Sequence, residues 1–222
     1  MGDYELVRFD EPQALAEGAA REWLELIDGA SPAGGRYGVA LAGGRIAGRF
    51  MAEVARQAKA RGASFEPVHF FWSDERCVPP SSSESNFALA RDTLLQPLAV
   101  PAERIHRLRG EDPPEAAAKA AEAELRAFDG AGAQPVLDLV FLGVGEEGHV
   151  ASLFPAEPES AMASPAVFRP VLSPKPPPQR LTMGYATIAA ARQVWVLASG
   201  PGKEKALRES LAGTGQTPLA RV

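Results

Sequence analysis

The sequence predicts an α/β fold: a doubly wound, mostly parallel sheet with helices on both faces. Continuously apolar segments alternate along the chain with segments of helical periodicity, and such apolar segments are typical of parallel strands buried on both faces. The chain has 222 residues, of which 45% are hydrophobic and 23% charged, a composition ordinary for a globular protein. No internal repeat is evident, so residues 1–222 are predicted to form a single domain.

Four apolar runs that end in glycines or charged residues are predicted to be strands. They are RYGVALAGG (36–44), VHFFWSDE (68–75), VLDLVFLGVG (136–145) and QVWVLASG (193–200). Five segments between and around them are predicted to be helices: 11–30, 45–62, 85–95, 113–128 and 202–213. Gly62 is the predicted C-terminal stop of the second helix, and prolines open the fourth. The proline-rich stretch 155–180 is predicted to be a surface connection, or alternatively a loop that lines the site.

Charge and cysteine content exclude several classes of function. The net charge of -5 provides no field to attract nucleic acid, and no apolar run is long enough to span a membrane. The single cysteine, Cys77, rules out an intramolecular disulfide framework and is predicted to be a packed, inert thiol. One cysteine and an N-terminus without a signal-peptide pattern predict a cytoplasmic protein.

Polar residues follow all four predicted strands. In parallel sheets ligands bind outside the carboxyl ends of the strands, so these four ends predict one site along one edge. In chain order the ends carry Gly43, Gly44 and Arg45; Ser73, Asp74, Glu75 and Arg76; Gly143, Gly145, Gly148 and His149; and Ser199, Gly200, Gly202 and Lys203.

Two features of this edge indicate an anionic, polar ligand. Arg45 and Lys203 stand at helix starts, where cations are unfavourable unless an anion is present, and a phosphate on the backbone N–H groups of the Gly43–Gly44 turn would supply that anion. Asp74 and Arg76 are placed to orient a polar substrate. The simpler interpretations are ordinary tight turns, solvated surface charges and a local ion-pair cluster.

His149 is the candidate base, because it follows a glycine turn at a strand end beside a carboxylate. His69 and His106 are predicted to be structural. GVGEEG formally matches the dinucleotide fingerprint, but the acidic residue expected about twenty positions later is missing. A single histidine at the edge argues against a transition-metal site, and no G-x-S-x-G elbow is present. A histidine that activates water is the simplest remaining chemistry.

Three blocks then show a resemblance. FLGVGEEGHVASLFP resembles G-x-G-x-D-G-H-[TV]-A-S-L-F-P, the signature of the 6-phosphogluconolactonase family, which belongs to the glucosamine/galactosamine-6-phosphate isomerase superfamily. The segments FFWSDERCVPPSSSESNFALARDTLL and PKPPPQRLTMGYATIAAARQVWVLASGPGKEKAL resemble two further segments of that family, in the family's order. The resemblance covers most of the chain.

The resemblance implies a modified Rossmann-like fold of the deaminase/lactonase type. It implies hydrolysis of 6-phospho-D-glucono-1,5-lactone in the oxidative pentose phosphate pathway. No metal and no organic cofactor are expected, and the expected partner is this sugar-phosphate lactone. The protein is expected to be a monomer or a homodimer. The catalytic residues it implies are His149, Asp74 and Arg76. The residues implied to bind substrate and phosphate are Gly43, Gly44, Arg45, Gly148, Arg180 and Lys203.

The chain departs from the family pattern at two places. Glu147 replaces an aspartate, and AGGRIAG replaces the S-G-G-S-T-P loop associated with phosphate binding. The altered loop leaves open a sugar-phosphate-binding module without turnover. The other alternative is a glucosamine-6-phosphate isomerase/deaminase, although the tail VASLFP differs from the deaminase I-A-F-N-E-P and the second strand ends in D-E-R rather than D-E-Y.

Overall fold

The computed structural model describes residues 4–30, 35–130, 132–212 and 216–222. The helices are α1 (Pro12–Ala30), α2 (Arg45–Arg61), α3 (Asn86–Ala90), α4 (Pro114–Asp129), α5 (Glu159–Met162), α6 (Tyr185–Ala190), α7 (Glu204–Leu211) and α8 (Pro218–Arg221). The strands are β1 (Tyr37–Leu41), β2 (Val68–Trp72), β3 (Asp74–Arg76), β4 (Leu139–Gly143), β5 (Phe168–Leu172), β6 (Gln179–Met183) and β7 (Val194–Leu197). No helix in these ranges combines the length and the apolar character that crossing a membrane requires.

The central sheet has four parallel strands in the order β2-β1-β4-β7. These are the four strands predicted from the sequence, and the parallel central sheet is confirmed. β1 is buried along its whole length, which explains its continuous apolar sequence YGVAL. Because all four strands run in the same direction, their carboxyl ends lie along one edge. The glycine-rich and charged segments therefore meet there, as the sequence predicts.

Helices cover both faces of this sheet, which is also confirmed. On one face Trp23 of α1 and Phe50 of α2 pack against Phe141 of β4, with ring centroids 5.1 and 4.7 Å from that ring. On the other face Phe128 of α4 packs against Phe71 of β2 at 5.3 Å. The amphipathic helices thus bury their large rings against the rings of the strands. Truncation of one such buried ring to alanine costs about 3–5 kcal/mol.

A second sheet of three antiparallel strands, in the order β3-β6-β5, was not predicted. The chain enters it at the fully buried Ser73, which directly follows β2. The Ser73 N–H and hydroxyl both donate to the carbonyl oxygen of Leu41, at 2.9 and 3.2 Å, while its own carbonyl accepts from Met183 N at 2.8 Å. The residues DER therefore form β3 rather than the end of the second predicted strand.

The prediction of a mere connection over residues 155–180 is wrong where this stretch forms regular structure. It contains α5, all of β5 and the start of β6. Prolines and arginines hide the apolar alternation of these strands, since Phe168–Leu172 reads FRPVL. The turn between β5 and β6, residues 173–178, reaches the site through Lys175, as the alternative interpretation predicted.

Helix boundaries follow local chemistry. Gly62 ends α2 in the left-handed conformation, with φ 67°, as predicted. Ser85 caps α3, and its hydroxyl accepts from Ala88 N at 3.1 Å. The helix predicted over 85–95 is α3 followed by a π-helical turn, Arg91–Leu95. The helix predicted over 202–213 begins two residues later, at Glu204, and its last residue lies outside the described ranges.

Candidate active site

Three glycine-rich turns form the carboxyl edge of the central sheet, after β1, β4 and β7. The turn after β1 is closely packed: a Cβ on Gly43 would lie 1.8 Å from Oδ1 of Asn86. Gly44 follows with φ 96°, a conformation that side chains disfavour. The bare backbone of this turn therefore allows the Asn86 amide to fit against it, at the point where α2 begins.

The turn after β4 places His149. Gly148 adopts φ 84° and donates from its N–H to the carbonyl oxygen of Gly145 at 3.0 Å. Gly145 N in turn donates to the carbonyl oxygen of His149 at 2.9 Å. The imidazole folds back over Gly145, where a Cβ would lie 1.9 Å from Nδ1. The glycines of GVGEEGH are therefore needed to seat the ring, since this segment opens no long helix.

The environment of His149 favours its neutral form. The side chain is 20% exposed, and its ring lies 4.9 Å from that of Phe154. Burial lowers the pKa of His149, and the carboxylate of Glu147 opposes this without cancelling it. Nδ1 lies 3.2 Å from Oε1 of Glu147, yet it is buried and makes no aligned hydrogen bond to any described residue. A carboxylate on this side favours the proton on Nδ1 and leaves the Nε2 lone pair free.

Glu147 has a stronger partner in Lys175. The ammonium nitrogen lies 2.7 Å from Oε1 and 2.9 Å from Oε2. Burial would raise the pKa of Glu147, but the Lys175 hydrogen bond, a backbone hydrogen bond and the histidine outweigh it and lower that pKa to about 2. Lys175 lies on the turn between β5 and β6, and sequence reasoning missed it. Its only signal is a cation within a run of prolines, SPKPPP.

Asp74 lies at the centre of a buried polar network. Its side chain is 5% exposed; Oδ2 accepts from the Ser152 hydroxyl at 2.6 Å, and Oδ1 accepts from the Asn86 amide at 3.1 Å. The Asp74 carboxylate bonds to these two residues and not to Arg76, so the local ion-pair cluster that was the simpler interpretation of the sequence does not form between Asp74 and Arg76. Asn86 and Ser152 both stand within the segments that resemble the family, but residue type alone gave them no role.

Arg76 and Arg180 lie close enough for their charges to interact. Arg180 is 6% exposed, and burial together with the Arg76 charge lowers its pKa. Arg180 donates from Nε to the carbonyl oxygen of Pro177 at 3.0 Å, from Nη2 to those of Pro176 and Lys175 at 3.3 and 3.4 Å, and from Nη1 to the Ser152 hydroxyl at 3.5 Å. Most of its five N–H groups are thus engaged within the chain.

The remaining donor of interest belongs to Arg76. Its Nη1 donates to the carbonyl oxygen of Glu84, whereas Nε is buried and has no partner among the described residues. A buried guanidinium N–H without an acceptor is costly. Arg76 therefore keeps one N–H donor that no described residue accepts.

Glu75 is structural. Its carboxylate accepts from the backbone N–H groups of Arg76, Asn86 and Phe87 at 2.7, 2.8 and 2.7 Å, and from the Ser85 hydroxyl at 2.9 Å. Burial raises the pKa of Glu75, and these hydrogen bonds oppose the shift. The carboxylate fixes the start of α3, and with it the position of Asn86.

A basic cluster lies between the first and third turns. Burial and the neighbouring Arg45 charge lower the pKa of Lys203, while Glu146 opposes them. Glu146 also contacts the third turn, since a Cβ on Gly202 would lie 3.0 Å from its Cδ. The N-terminus of α2 has no side-chain cap and no acidic residue in its first turn. The structure therefore brings Arg45 and Lys203 together beside free helix N–H groups.

Within the described ranges, no group of three or more His, Cys, Asp or Glu side chains gathers as a metal ion would need. The expectation that the site works without a metal or organic cofactor stays a prediction.

Comparison with known proteins adds the family context. The model of the family described as "Glucosamine-6-phosphate isomerases/6-phosphogluconolactonase" matches residues 10–222. A protein named 6-phosphogluconolactonase from Streptomyces coelicolor is 34% identical over 97% of this chain and 87% of its own length. The human protein of that name is 38% identical over 83% of this chain and 72% of its own length.

Solved structures agree in fold. The 6-phosphogluconolactonase of Trypanosoma brucei superposes with a TM-score of 0.88, at 28% identity, covering 99% of this chain and 91% of that chain. A monomeric glucosamine-6-phosphate deaminase superposes with a TM-score of 0.85 at 20% identity, covering 98% and 92%. At that identity the second likeness concerns the fold alone.

Proposed function

We propose that this chain, which belongs to the family of glucosamine-6-phosphate isomerases and 6-phosphogluconolactonases, hydrolyses 6-phospho-D-glucono-1,5-lactone to 6-phosphogluconate. This is the lactone-opening step of the oxidative pentose phosphate pathway. The observation that carries the proposal is His149: a largely buried imidazole, kept neutral, with Nε2 unbonded to any described residue, beside the Glu147–Lys175 pair. The similarity to relatives named as lactonases over most of the chain supports the same activity.

His149 acts as the general base in this proposal. Nε2 takes a proton from a water molecule while the water oxygen bonds to C1 of the lactone. The tetrahedral intermediate then collapses, the bond from C1 to the ring oxygen breaks, and the imidazolium returns the proton to that oxygen. General-base catalysis of this kind contributes about 10²–10⁴-fold. The lowered pKa of His149 keeps the ring neutral near pH 7, as the role requires.

The negative charge that develops on the C1 oxygen needs donors. The unpartnered Nε of Arg76 supports a role for that residue, alone or with backbone N–H groups of the glycine turn. Each oxygen of Asp74 already accepts a hydrogen bond, one from Ser152 and one from Asn86. We therefore assign Asp74 to positioning these neighbours, and we assign any contact with a sugar hydroxyl to a hydrogen bond shared with Ser152.

Arg45, Lys203 and the first turn of α2 hold the substrate phosphate in this proposal. Two cations that share one small region, next to uncapped helix N–H groups, suit a dianion. Gly43 and Gly44 contribute bare backbone. Arg180 was also expected to bind phosphate, and that role stays a prediction. Its bonds to the turn over residues 173–178 support a role in anchoring that turn instead.

The test is hydrolysis of freshly generated 6-phosphogluconolactone above its spontaneous background. Acceleration by folded protein supports the lactonase. Ammonia release from glucosamine 6-phosphate, without lactone hydrolysis, would replace it with the deaminase. Stabilisation by 6-phosphogluconate without turnover of either substrate would indicate a binding module. A cytoplasmic location and a monomeric or homodimeric state stay predictions.

A further inference from the structure

Lys175 competes with His149 for the same carboxylate. Its ammonium contacts both oxygens of Glu147, at 2.7 and 2.9 Å, whereas His149 Nδ1 lies 3.2 Å from one of them without an aligned hydrogen bond. The Lys175 side chain is 49% exposed and that of Glu147 33% exposed. Exposed pairs are usually worth little in stability. This pair, however, lies against the imidazole of the proposed base, so its effect is on that ring.

The backbone at Lys175 is held in place by Arg180. Its turn, residues 173–178, is held by the buried Arg180 guanidinium, which donates to the carbonyl oxygens of Lys175, Pro176 and Pro177. The Lys175 N–H also donates to the Ser173 hydroxyl at 3.0 Å. The backbone from which the ammonium extends is therefore anchored to the core of the second sheet, and the ammonium reaches Glu147 from a defined point.

Four charged groups act on His149 or lie beside its pocket. Glu147 belongs to the same turn, Lys175 reaches over from the β5–β6 turn, and Asp74 acts from β3; the first and third raise the pKa of His149, and Lys175 lowers it. The Arg180 guanidinium lies 5.8 Å from the centroid of the Phe154 ring that packs on the imidazole. Lys175 is thus the cation that balances the nearest carboxylate.

We propose that Lys175 is a positioning residue for His149: its ammonium pairs with the ionised Glu147 carboxylate and balances that charge, so that Glu147 orients the imidazole without converting it to imidazolium. This inference rests on the proposed function for its catalytic meaning. The contacts among Lys175, Glu147 and His149 do not depend on that function. A carboxylate without the lysine would turn its full charge, and a hydrogen bond, towards Nδ1 and would favour the protonated ring. A protonated His149 has no lone pair with which to accept a proton from water.

The kinetic test compares pH profiles of kcat/KM for lactone hydrolysis. In K175M the acidic limb should move to higher pH, which means roughly a threefold or larger loss near pH 6 that recovers at higher pH. K175R should retain the wild-type profile, because it keeps the cation. E147Q should move the limb to lower pH, and in the E147Q background the effect of K175M should shrink. A rise in KM at all pH values with an unmoved limb would overturn the proposal and make Lys175 a substrate ligand.

The second readout does not depend on lactonase activity. The imidazole of His149 is titrated by NMR in the wild type, K175M, K175R and E147Q, with H149Q to assign its signal among the three histidines. K175M should titrate at higher pH than the wild type and E147Q at lower pH. Identical titrations would overturn the inference. Shifted titrations in a protein that hydrolyses no lactone would support the inference about His149 while the proposed function fails.

Discussion

The hydroxyl of Ser152 lies 2.6 Å from Oδ2 of Asp74, and this bond joins the histidine turn to the second sheet. Ser152 follows His149 by three residues, after the central strand β4, whereas Asp74 begins β3 of the antiparallel sheet. The Arg180 guanidinium reaches the same hydroxyl at 3.5 Å. The two sheets therefore share one polar network that includes the turn carrying His149, and the geometry of the site depends on their alignment.

Replacement of Ser152 by alanine should destabilise the fold. The change leaves Oδ2 of the buried Asp74 without its donor, and an unsatisfied buried acceptor costs about 1–3 kcal/mol. Chemical denaturation measures the loss. Ser83→Ala is the control, since Ser83 is exposed and should change the free energy of unfolding very little. Equal effects for the two variants would mean that the network contributes nothing to stability.

Gly145→Ala should disable the site while the fold survives. A Cβ at this position would lie 1.9 Å from His149 Nδ1, so the ring must leave its seat. Misplacement of a base by about 1 Å costs on the order of 100-fold in rate. Lactone hydrolysis and circular dichroism measure the two effects. Gly29→Ala is the matched control, because nothing lies within 4 Å of its added methyl group. Wild-type activity in Gly145→Ala would contradict the geometry of the turn.

Lys203→Met should weaken substrate binding rather than chemistry. A charge-assisted hydrogen bond to phosphate is worth about 1.5–3 kcal/mol, so KM should rise about 10- to 100-fold with kcat less affected. Competition by inorganic phosphate should weaken in parallel. Lys205→Met provides the control, since that side chain lies on the exposed surface of α7. If kcat fell and KM stayed constant, the phosphate would have to bind elsewhere.

The histidine pair away from the site should make stability depend on pH. His69 Nδ1 and His106 Nε2 lie 3.0 Å apart, and burial lowers the pKa of both, although Glu124 opposes the shift at His106. The unfolded chain therefore binds protons more readily than the folded one. The contribution of the neutral pair to the free energy of unfolding is therefore complete above about pH 6.5, and it decreases as the pH falls below that value.

Thermal unfolding from about pH 7.5 to about pH 5.5 checks this dependence. The wild type should lose more stability over the range than His106→Asn, whatever the absolute stability of the variant. His149→Gln is measured alongside, because burial lowers the pKa of that histidine too and it contributes in the same direction. Parallel curves for the wild type and His106→Asn would refute the role of the pair.

The central sheet could be read from the sequence because its signals are local. Continuous apolar runs such as YGVAL and VHFFW require burial on both faces, and the glycines that follow them mark the edge where ligands bind. The same logic correctly gathered Gly43, Lys203 and His149 at one edge. The segment around His149 also carried the resemblance to the family. Glycine is required at position 145 because the imidazole folds back closely over that residue.

The second sheet and the partners of the site residues could not be read in this way. β3 is three polar residues long. Its buried carboxylates are satisfied by residues outside the strand: Asp74 accepts from Ser152, 78 positions away, and Glu75 accepts from Asn86 at the start of α3. The pairing of Lys175 with Glu147 joins positions 28 apart, through a turn whose location depends on Arg180. Long-range polar contacts of this kind leave no periodicity in the sequence.

The most direct test is the rate of 6-phosphogluconolactone hydrolysis by His149→Gln against that of the wild type and the spontaneous background. The wild type should accelerate the reaction, and the folded variant should lose about 10²–10⁴-fold of that acceleration. Wild-type activity in the folded variant would contradict the assignment of His149 as the base.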